Sequence, residues 1–556
     1  MNKNKRSWIL FSILAGIVLL VIVGFVCSDA IVTKTVNSKL QEKLQANERF
    51  TIGYRHLAVL LGSRTIELKN VVFCTANTDS LGNGEPGLQL HIERVVLRHV
   101  SLRRLIKDKH LHIGRIIIDE PDIVVNLPLD RKEKTDSAKV NAPLTGIDVE
   151  KIKIKDGSLR LRNTGNRMQL SLDDLQLTAH DIGYDITNAS LAYNDSLYHI
   201  ALENLDFTSA DGLLRTQMKS LETKDAGAVV AEQLHCFNTV RKTSLADRKG
   251  KIPATWFDIS LNRITTSPVN LIRQARAKEI AIDNITVDGK KALLYRDVRY
   301  PAKKPFPMPQ DKLLAMKMPL KINTVQLTIP QFDIEMCTRD IGSGHLQLKQ
   351  VRGTLANITN RTGDNLTAKI KTALSHGGEG DITLTMKMDK EAHFNVVAGF
   401  KDVQGESFNQ FLHPLFGAEA FFTINSLKTD YKGDRKRADG TFCMTYDDIQ
   451  VKVFKEETPY SLIAKNAETI NLLAPTVLQR RNPRMQGKEP QSYEVGKERD
   501  EMKNFTVYLM GPVLDGVLKT VLPGSIVRGI GKKADKKAAQ QDKKQPEKRQ
   551  RIRKNN

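Results

Sequence analysis

Two seventeen-residue stretches, Leu111 to Leu127 and Leu320 to Met336, carry the same order of apolar and polar positions. In register they set Leu111, Ile113, Ile116, Ile118, Pro121, Ile123, Val125 and Leu127 against Leu320, Ile322, Val325, Leu327, Pro330, Phe332, Ile334 and Met336. Alternation is the period of a half-buried strand, and a proline between two such runs can turn the chain. The pattern predicts strand, turn, strand, used twice.

A shorter form, apolar at positions one, three, six and eight, recurs at Ile66/Leu68/Val71/Phe73, Leu90/Ile92/Val95/Leu97, Ile147/Val149/Ile152/Ile154, Leu170/Leu172/Leu175/Leu177, Ile200/Leu202/Leu205/Phe207 and Ile280/Ile282/Ile285/Val287. At 40% apolar content that template alone matches on the order of ten windows by chance in a chain this long. The weight therefore rests on the long paired match and on the richness in Ile, Leu and Val. In an ideal strand positions one and three face one side and six and eight the other. A bulge at positions four and five, where Glu, Asp, Lys and Asn are frequent, would return all four to one face. Two strands joined by a sharp bend is the alternative.

Taken in order, residues 1–7 hold Lys3, Lys5 and Arg6, and Trp8 through Cys27 is a run without charge. A run of that length spans a bilayer as a helix, and the charge bias places the N-terminus in the cytoplasm and the body outside. Cleavage after Ala30 is the alternative. Residues 28–49, with Val32, Val36, Leu40 and Leu44 four apart, read as an amphipathic stalk helix. A first β block covers 50–129, a charged linker 130–145, and a second β block 146–300, with a turn at Asp156-Gly157 and a short helix within Ser267 to Lys278. A Pro-rich connector between two halves, 301–319, precedes a third β block, 320–456, in which Phe408 to Phe416 is a small helix or loop. A polar linker, 457–496, follows.

From Lys497 a helical pattern puts Met502, Phe505, Leu509, Val513, Val517 and Val521 on one side, predicting a C-terminal helix over 497–527. It either packs on the sheet or lies on a membrane. Residues 528–556 are basic and lack apolar periodicity, which predicts a disordered tail able to attract anionic lipid.

The net charge of +22 suits an anionic partner, either nucleic acid or phospholipid headgroups. Nucleic acid requires a cytoplasmic body, which the N-terminal anchor argues against. Catalytic chemistry is thin. No GxSxG, GxxxxGK[ST], HExxH or EF-hand motif occurs, and Gly342-Ser343-Gly344-His345 reads as a turn. His110 and His112 share a strand face without a third ligand. The neighbours Asp173/Asp174 and Asp447/Asp448 would point to opposite faces. Cys74, Cys236, Cys337 and Cys443 are spread singly, without zinc spacing. No metal, cofactor or enzyme activity is expected.

Strands with one aliphatic and one polar face need another layer. Helical material is sparse, so the sheet either closes on itself as a sandwich or barrel, or curls into an open groove filled from outside.

The repeats, the unit around Pro121, the single anchor, the run Arg296-Asp297-Val298-Arg299-Tyr300-Pro301, the run Gly353 to Thr359, Gly440 to Val453 with Tyr446-Asp447-Asp448, and Asn482-Pro483-Arg484 together resemble the AsmA family of envelope proteins. The long basic tail departs from that pattern. The resemblance implies a mainly β protein: an N-terminal transmembrane helix in the inner membrane, then an elongated, twisted antiparallel β-sheet groove of repeated strand units in the periplasm, with few short helices and a C-terminal helix. It also implies a role in outer-membrane biogenesis and phospholipid movement. Acyl chains would lie along Ile113, Ile116, Ile118, Ile123, Val125, Ile322, Val325, Leu327, Phe332 and Ile334, with no catalytic residue. The alternative is a structural or regulatory envelope protein that binds outer-membrane protein precursors or assembly factors.

Overall fold

In a computed structural model the described residues are 50–522, apart from 61, 76–86, 102–103, 105–106, 128–144, 186–189, 193–197, 225–226, 338–342, 417 and 455–477. The expected anchor (8–27), stalk (28–49), nearly all of the charged linker (130–145) and the basic tail (528–556) lie outside them. No helix among the described residues is long and apolar enough to cross a membrane. The chain divides into two compact units, Met1–Val240 with Ser260–Ala277, and Arg241–Ile259 with Lys278–Asn556.

In the first unit, β1 (Phe50–Gly53) and β2 (His56–Leu60) pair with successive parts of β3 (Thr65–Thr75). β3 pairs with β4 (Gly87–Ser101), and β4 with β5 (His110–Leu127), all antiparallel. β5 then runs parallel to β6 (Gly146–Asn163). β7 (Gln169–Asp185) returns antiparallel and pairs with both β8 (Ser190–Ala192) and β9 (Tyr198–Thr208). β10 (Leu214–Thr223) and β11 (Ala228–Asn238) complete the run.

The second unit opens with a 3-10 turn (Lys242–Ser244) and α1 (Leu245–Arg248). β12 (Ala254–Pro268) belongs to this unit up to Ile259 and to the first unit beyond it, where α2 (Leu271–Ala277) follows. β13 (Ile280–Asp297) runs parallel to β14 (Leu320–Cys337), with α3 (Pro309–Leu314) in the crossover. Then β15 (Ser343–Thr359), β16 (Asn365–Leu374), β17 (Glu379–Lys387), β18 (Phe394–Gln404), β19 (Ala418–Gly433), β20 (Arg437–Val453) and β21 (Ser492–Glu498) pair antiparallel in succession. α4 (Glu406–Phe416) lies between β18 and β19, and α5 (Phe505–Val521) follows β21.

The protein is thus mainly β, but its pairing is mixed rather than antiparallel throughout. Both long repeats fall in parallel pairs, and each crossover exceeds the dozen or so residues that a parallel connection needs. The spacing one, three, six, eight is a palindrome, so it matches a neighbour in either direction. Antiparallel, Ile66, Leu68, Val71 and Phe73 face Leu97, Val95, Ile92 and Leu90. Parallel, Ile280, Ile282, Ile285 and Val287 face Leu320, Ile322, Val325 and Leu327.

The expected turns at Pro121, Pro330 and Asp156-Gly157 are not turns: β5, β14 and β6 run through them. In many windows position five instead adopts the left-handed conformation, as at Asn70, Glu120, Asp156, Asp174, Asn204, Gln350 and Asp448, though not at Arg94, Lys151, Asn284 or Thr324. That residue resets the pleat and returns positions six and eight to the first face, which is why Ile66, Leu68, Val71 and Phe73 are all buried. Asn and Asp tolerate this conformation better than other side chains. The bulge reading holds and the sharp bend does not.

Three further expectations change. Ser343, Gly344 and His345 are strand residues paired with Cys337, Met336 and Glu335. The Pro-rich connector lies inside the second unit, as the β13–β14 crossover, rather than between two halves. Lys497 belongs to β21 and the last helix begins at Phe505, where the Asn504 side chain accepts the Val507 amide. The short helix expected within Ser267 to Lys278 forms at 271–277, and the segment expected as a helix or loop at Phe408 to Phe416 is a helix over 406–416.

Asp311 of α3 forms a two-pronged ion pair with Arg435, including Nη1 to Oδ2 at 2.9 Å, which clamps the connector to the β19–β20 turn. The hydrogen bond from Arg435 holds the Asp311 carboxyl below its ordinary 3.8. Because the folded value is depressed, the clamp stabilises the fold above the unfolded value and is lost as pH falls through the folded one. Asp311→Asn should therefore cost on the order of 1 kcal/mol at pH 7. Urea titrations should show the gap to wild type closing as pH is lowered from 5 toward 2; a gap that does not depend on pH would refute the ion pair as its source.

Candidate functional site

The apolar residues form rows that cross the strands. In the second unit one row runs Ile285, Val325, Leu355, Ala368, Leu384, Val396, Tyr431, Gly440 and Val495, each paired with the next. Its burial changes along its length. Val396, Tyr431 and Val495 are buried, whereas Ile285, Val325 and Leu355 are half-exposed. The opposite face is polar: Asp283, Thr286 and Asp288 on β13 and Lys321, Asn323, Gln326 and Thr328 on β14 are all exposed. One face of β13 to β15 is therefore aliphatic and only partly covered.

The first unit repeats the arrangement with the gradient set by β3 and β4. The row Leu68, Val95, Ile118, Ile154, Leu177, Ile200 is buried at its first two members and half-exposed from Ile118 onward. The closed part is a cluster of aliphatic residues from β2 to β6 that includes Leu97, Val100, Leu111 and Ile113.

The ten residues proposed from sequence divide accordingly. Ile113 and Ile116 lie inside the closed cluster, with Ile118, Ile123 and Val125 half-exposed against its edge. Ile322, Val325 and Ile334 are half-exposed on β14, and Leu327 and Phe332 pack around Ala292, Ile329 and Val351. The structure gathers five on β5 in one unit and five on β14 in the other.

In the second unit the row closes because α5 lies on it. Phe505, Tyr508, Leu509 and Val513 pack with Phe394, Val396 and Tyr431. Val513, Val517 and Val521 pack with Phe442, Tyr446 and Val495. Tyr431 donates its hydroxyl hydrogen to the Leu509 carbonyl at 2.6 Å, and burial pushes that hydroxyl's pKa well above its ordinary value. Bridged to Tyr446, Asn482 is a buried node: its amide donates to the Met444 carbonyl at 2.7 Å, and its oxygen accepts the Gln491 amide at 3.0 Å. Asp297 plays a similar part in β13, where Arg299 Nε donates to its carboxylate at 3.0 Å and Arg299 also reaches the Thr243 carbonyl. Both residues belong to the sequence motifs, and both build the fold.

The polar faces carry cross-strand ion pairs rather than converging chemistry. Arg94 meets Asp119 at 2.7 Å and Arg160 meets Asp122 at 2.9 Å. Hydrogen bonds from Arg215 hold Asp206 below the usual carboxylate range. His110 and His112 pair separately, with Asp148 at 2.8 Å and Glu150 at 3.1 Å. Asp333, largely buried, accepts from His345 at 3.1 Å and Gln347 at 3.2 Å. Burial would raise its carboxyl, but the bonds from Gln347, His345 and Gln331 bring it below its ordinary value. No group of three metal-ligating side chains occurs among the described residues, and the four described cysteines form no disulfide.

The sequence reading missed the outer side of α5. Val507, Met510, Leu514 and Leu518 are exposed there, spaced three, four and four residues apart, while the expected stripe faces the sheet. Met502 falls before the helix and is exposed. The second stripe was visible as a helix with few polar positions.

Fold and face define a one-faced β protein whose aliphatic side is closed at one end of each unit and partly uncovered at the other. No protein-family model matches the chain, and no curated protein matches it in sequence.

Proposed function

We propose that this is a membrane-anchored, non-enzymatic envelope protein of the AsmA type, which holds phospholipid acyl chains along the uncovered aliphatic rows and supports outer-membrane biogenesis. In this reading residues 8–27 anchor it in the inner membrane, the body is periplasmic, and the sheets form elongated, twisted grooves. The observation that carries it is the half-exposed row Ile285, Val325, Leu355, backed by a polar outer face. An aliphatic row left partly in water gains up to about 0.8 kcal/mol for each CH₂ that a ligand buries against it. Two acyl chains would be held firmly while the headgroup stays hydrated at the rim. Ile118, Ile154, Leu177 and Ile200 offer the same surface in the first unit.

The test is photo-crosslinking in growing cells that express the full chain. A benzophenone amino acid at Val325 should give a phospholipid adduct by mass spectrometry, and the same group at the neighbouring Gln326, on the other face, should not. Protein adducts at Val325 would favour the binding of outer-membrane protein precursors or assembly factors instead. Equal lipid labelling at both positions would defeat the groove.

A further inference from the structure

The outer side of α5 runs against the rule for helices at a protein surface. An exposed helix face is ordinarily charged or polar. Here the exposed positions of the helix are Thr506, Val507, Met510, Leu514 and Leu518. Leu514 is 56% exposed and Met510 48%, so these are side chains standing in water rather than grazing it. The two charges of the helix, Asp515 and Lys519, pair with each other at 2.8 Å, and both also bond to β21: Asp515 accepts the Gly496 amide and Lys519 donates to the Glu494 carbonyl. They are drawn toward the sheet and leave the stripe uninterrupted.

We infer that the outward stripe of α5 docks on the surface of an anionic bilayer. Three observations choose this occupant. The stripe is aliphatic and contains no Trp, Tyr or Arg, the residues that anchor protein interfaces. It is about 16 Å long from Val507 to Leu518 at 1.5 Å per residue, which suits a helix lying in the interface with one side in the acyl boundary. The chain then continues into a segment from Arg528 to Asn556 with twelve Lys and Arg against three Asp and Glu. Each basic residue near an anionic surface contributes about 1 kcal/mol. Stripe and basic segment together supply the apolar and electrostatic signals that stable attachment requires.

The inference does not depend on the groove. It adds to it a position, because α5 is also the element that closes the aliphatic row over β18 to β21. A docked α5 would hold that closed end at a membrane.

The test uses the full chain reconstituted into vesicles of phosphatidylethanolamine with one-third phosphatidylglycerol, and a fluorescent amino acid at position 514. Brominated phosphatidylglycerol should quench that probe several-fold more than one at Lys371, an exposed residue of β16. High salt, or vesicles of phosphatidylcholine alone with brominated phosphatidylcholine as the quencher, should remove most of the difference. Met510→Asp with Leu518→Asp should abolish it while leaving the melting temperature near wild type, since both positions are exposed. Equal quenching at 514 and 371 would overturn the inference. So would a dimer in light scattering that the double variant dissociates, since the stripe would then be a contact between two copies.

Discussion

Ile113→Asp is expected to unfold the first unit, and Leu327→Asp to leave the second folded. Both residues belong to the repeated segments, at positions three and eight of the same template, and both look alike in sequence. Ile113 is 1% exposed, paired with Val100 on one side and Val149 on the other, both buried. Losing its burial costs about 2–5 kcal/mol. A carboxylate there has no partner and adds several more, enough to exhaust the roughly 5–15 kcal/mol of a typical domain. Leu327 is half-buried, packed against Ala292, Ile329 and Val351 and beside Val287 and Gly353, with part of its side chain still in water. An aspartate at 327 can keep its water, so the cost should be about 1 kcal/mol, a few degrees in melting temperature. Circular dichroism melts and limited proteolysis of the two variants read the contrast. In the same cells, Leu327→Asp should remove most of the phospholipid adduct formed at position 325. If it unfolded its unit as Ile113→Asp does its own, the row on β14 would be a closed core and the groove would fall.

That contrast marks what the pattern could and could not say. The spacing one, three, six, eight told which residues share a face once a bulge is allowed, and the acidic and amide residues at position five were its local sign. It could not tell direction, because a palindrome pairs as well parallel as antiparallel; the connections of β5–β6 and β13–β14 are long enough to allow a parallel pair, yet β20 and β21 pair antiparallel across a longer one. Pro121 and Asp156-Gly157 were ambiguous for a related reason. A residue with positive φ, or a proline without an amide hydrogen, suits a tight turn and a bulge equally, and only the neighbouring strands decide between them. Burial was the least legible quantity. Ile113 and Leu327 differ in what lies over them, and that cover comes from residues far away in the chain. The second stripe of α5 was legible as composition, but a helix apolar on two sides has no single amphipathic face to mark which side meets the sheet.

Gly516→Leu is expected to lift α5 from the sheet. Gly511, Pro512 and Gly516 look like defects in a helix, yet all three are buried where the helix meets the sheet. A Cβ at Gly516 would lie 2.2 Å from Cγ of Phe442 and 2.6 Å from its Cδ1. Phe442 is itself buried, in the cluster with Met444, Tyr446 and Val495, so the ring has little room to withdraw. Gly516→Ala decides between two opposed effects. Alanine favours the helix by about 1 kcal/mol over glycine, whereas overpacking costs about 1–3 kcal/mol, so at this contact packing should win and the variant should be less stable than wild type. Leucine exceeds what any rotation of Phe442 can relieve, and the helix must leave. Its departure would uncover Phe394, Tyr431 and Phe442 together, giving strong binding of a hydrophobic dye and proteolytic cleavage between Glu498 and Val521. Leu514→Ala, on the outward side of the same helix, should change stability by no more than about 0.5 kcal/mol. An alanine at 516 that stabilised the protein would mean that α5 does not rest on Phe442, and the closed end of the aliphatic row would need another cover.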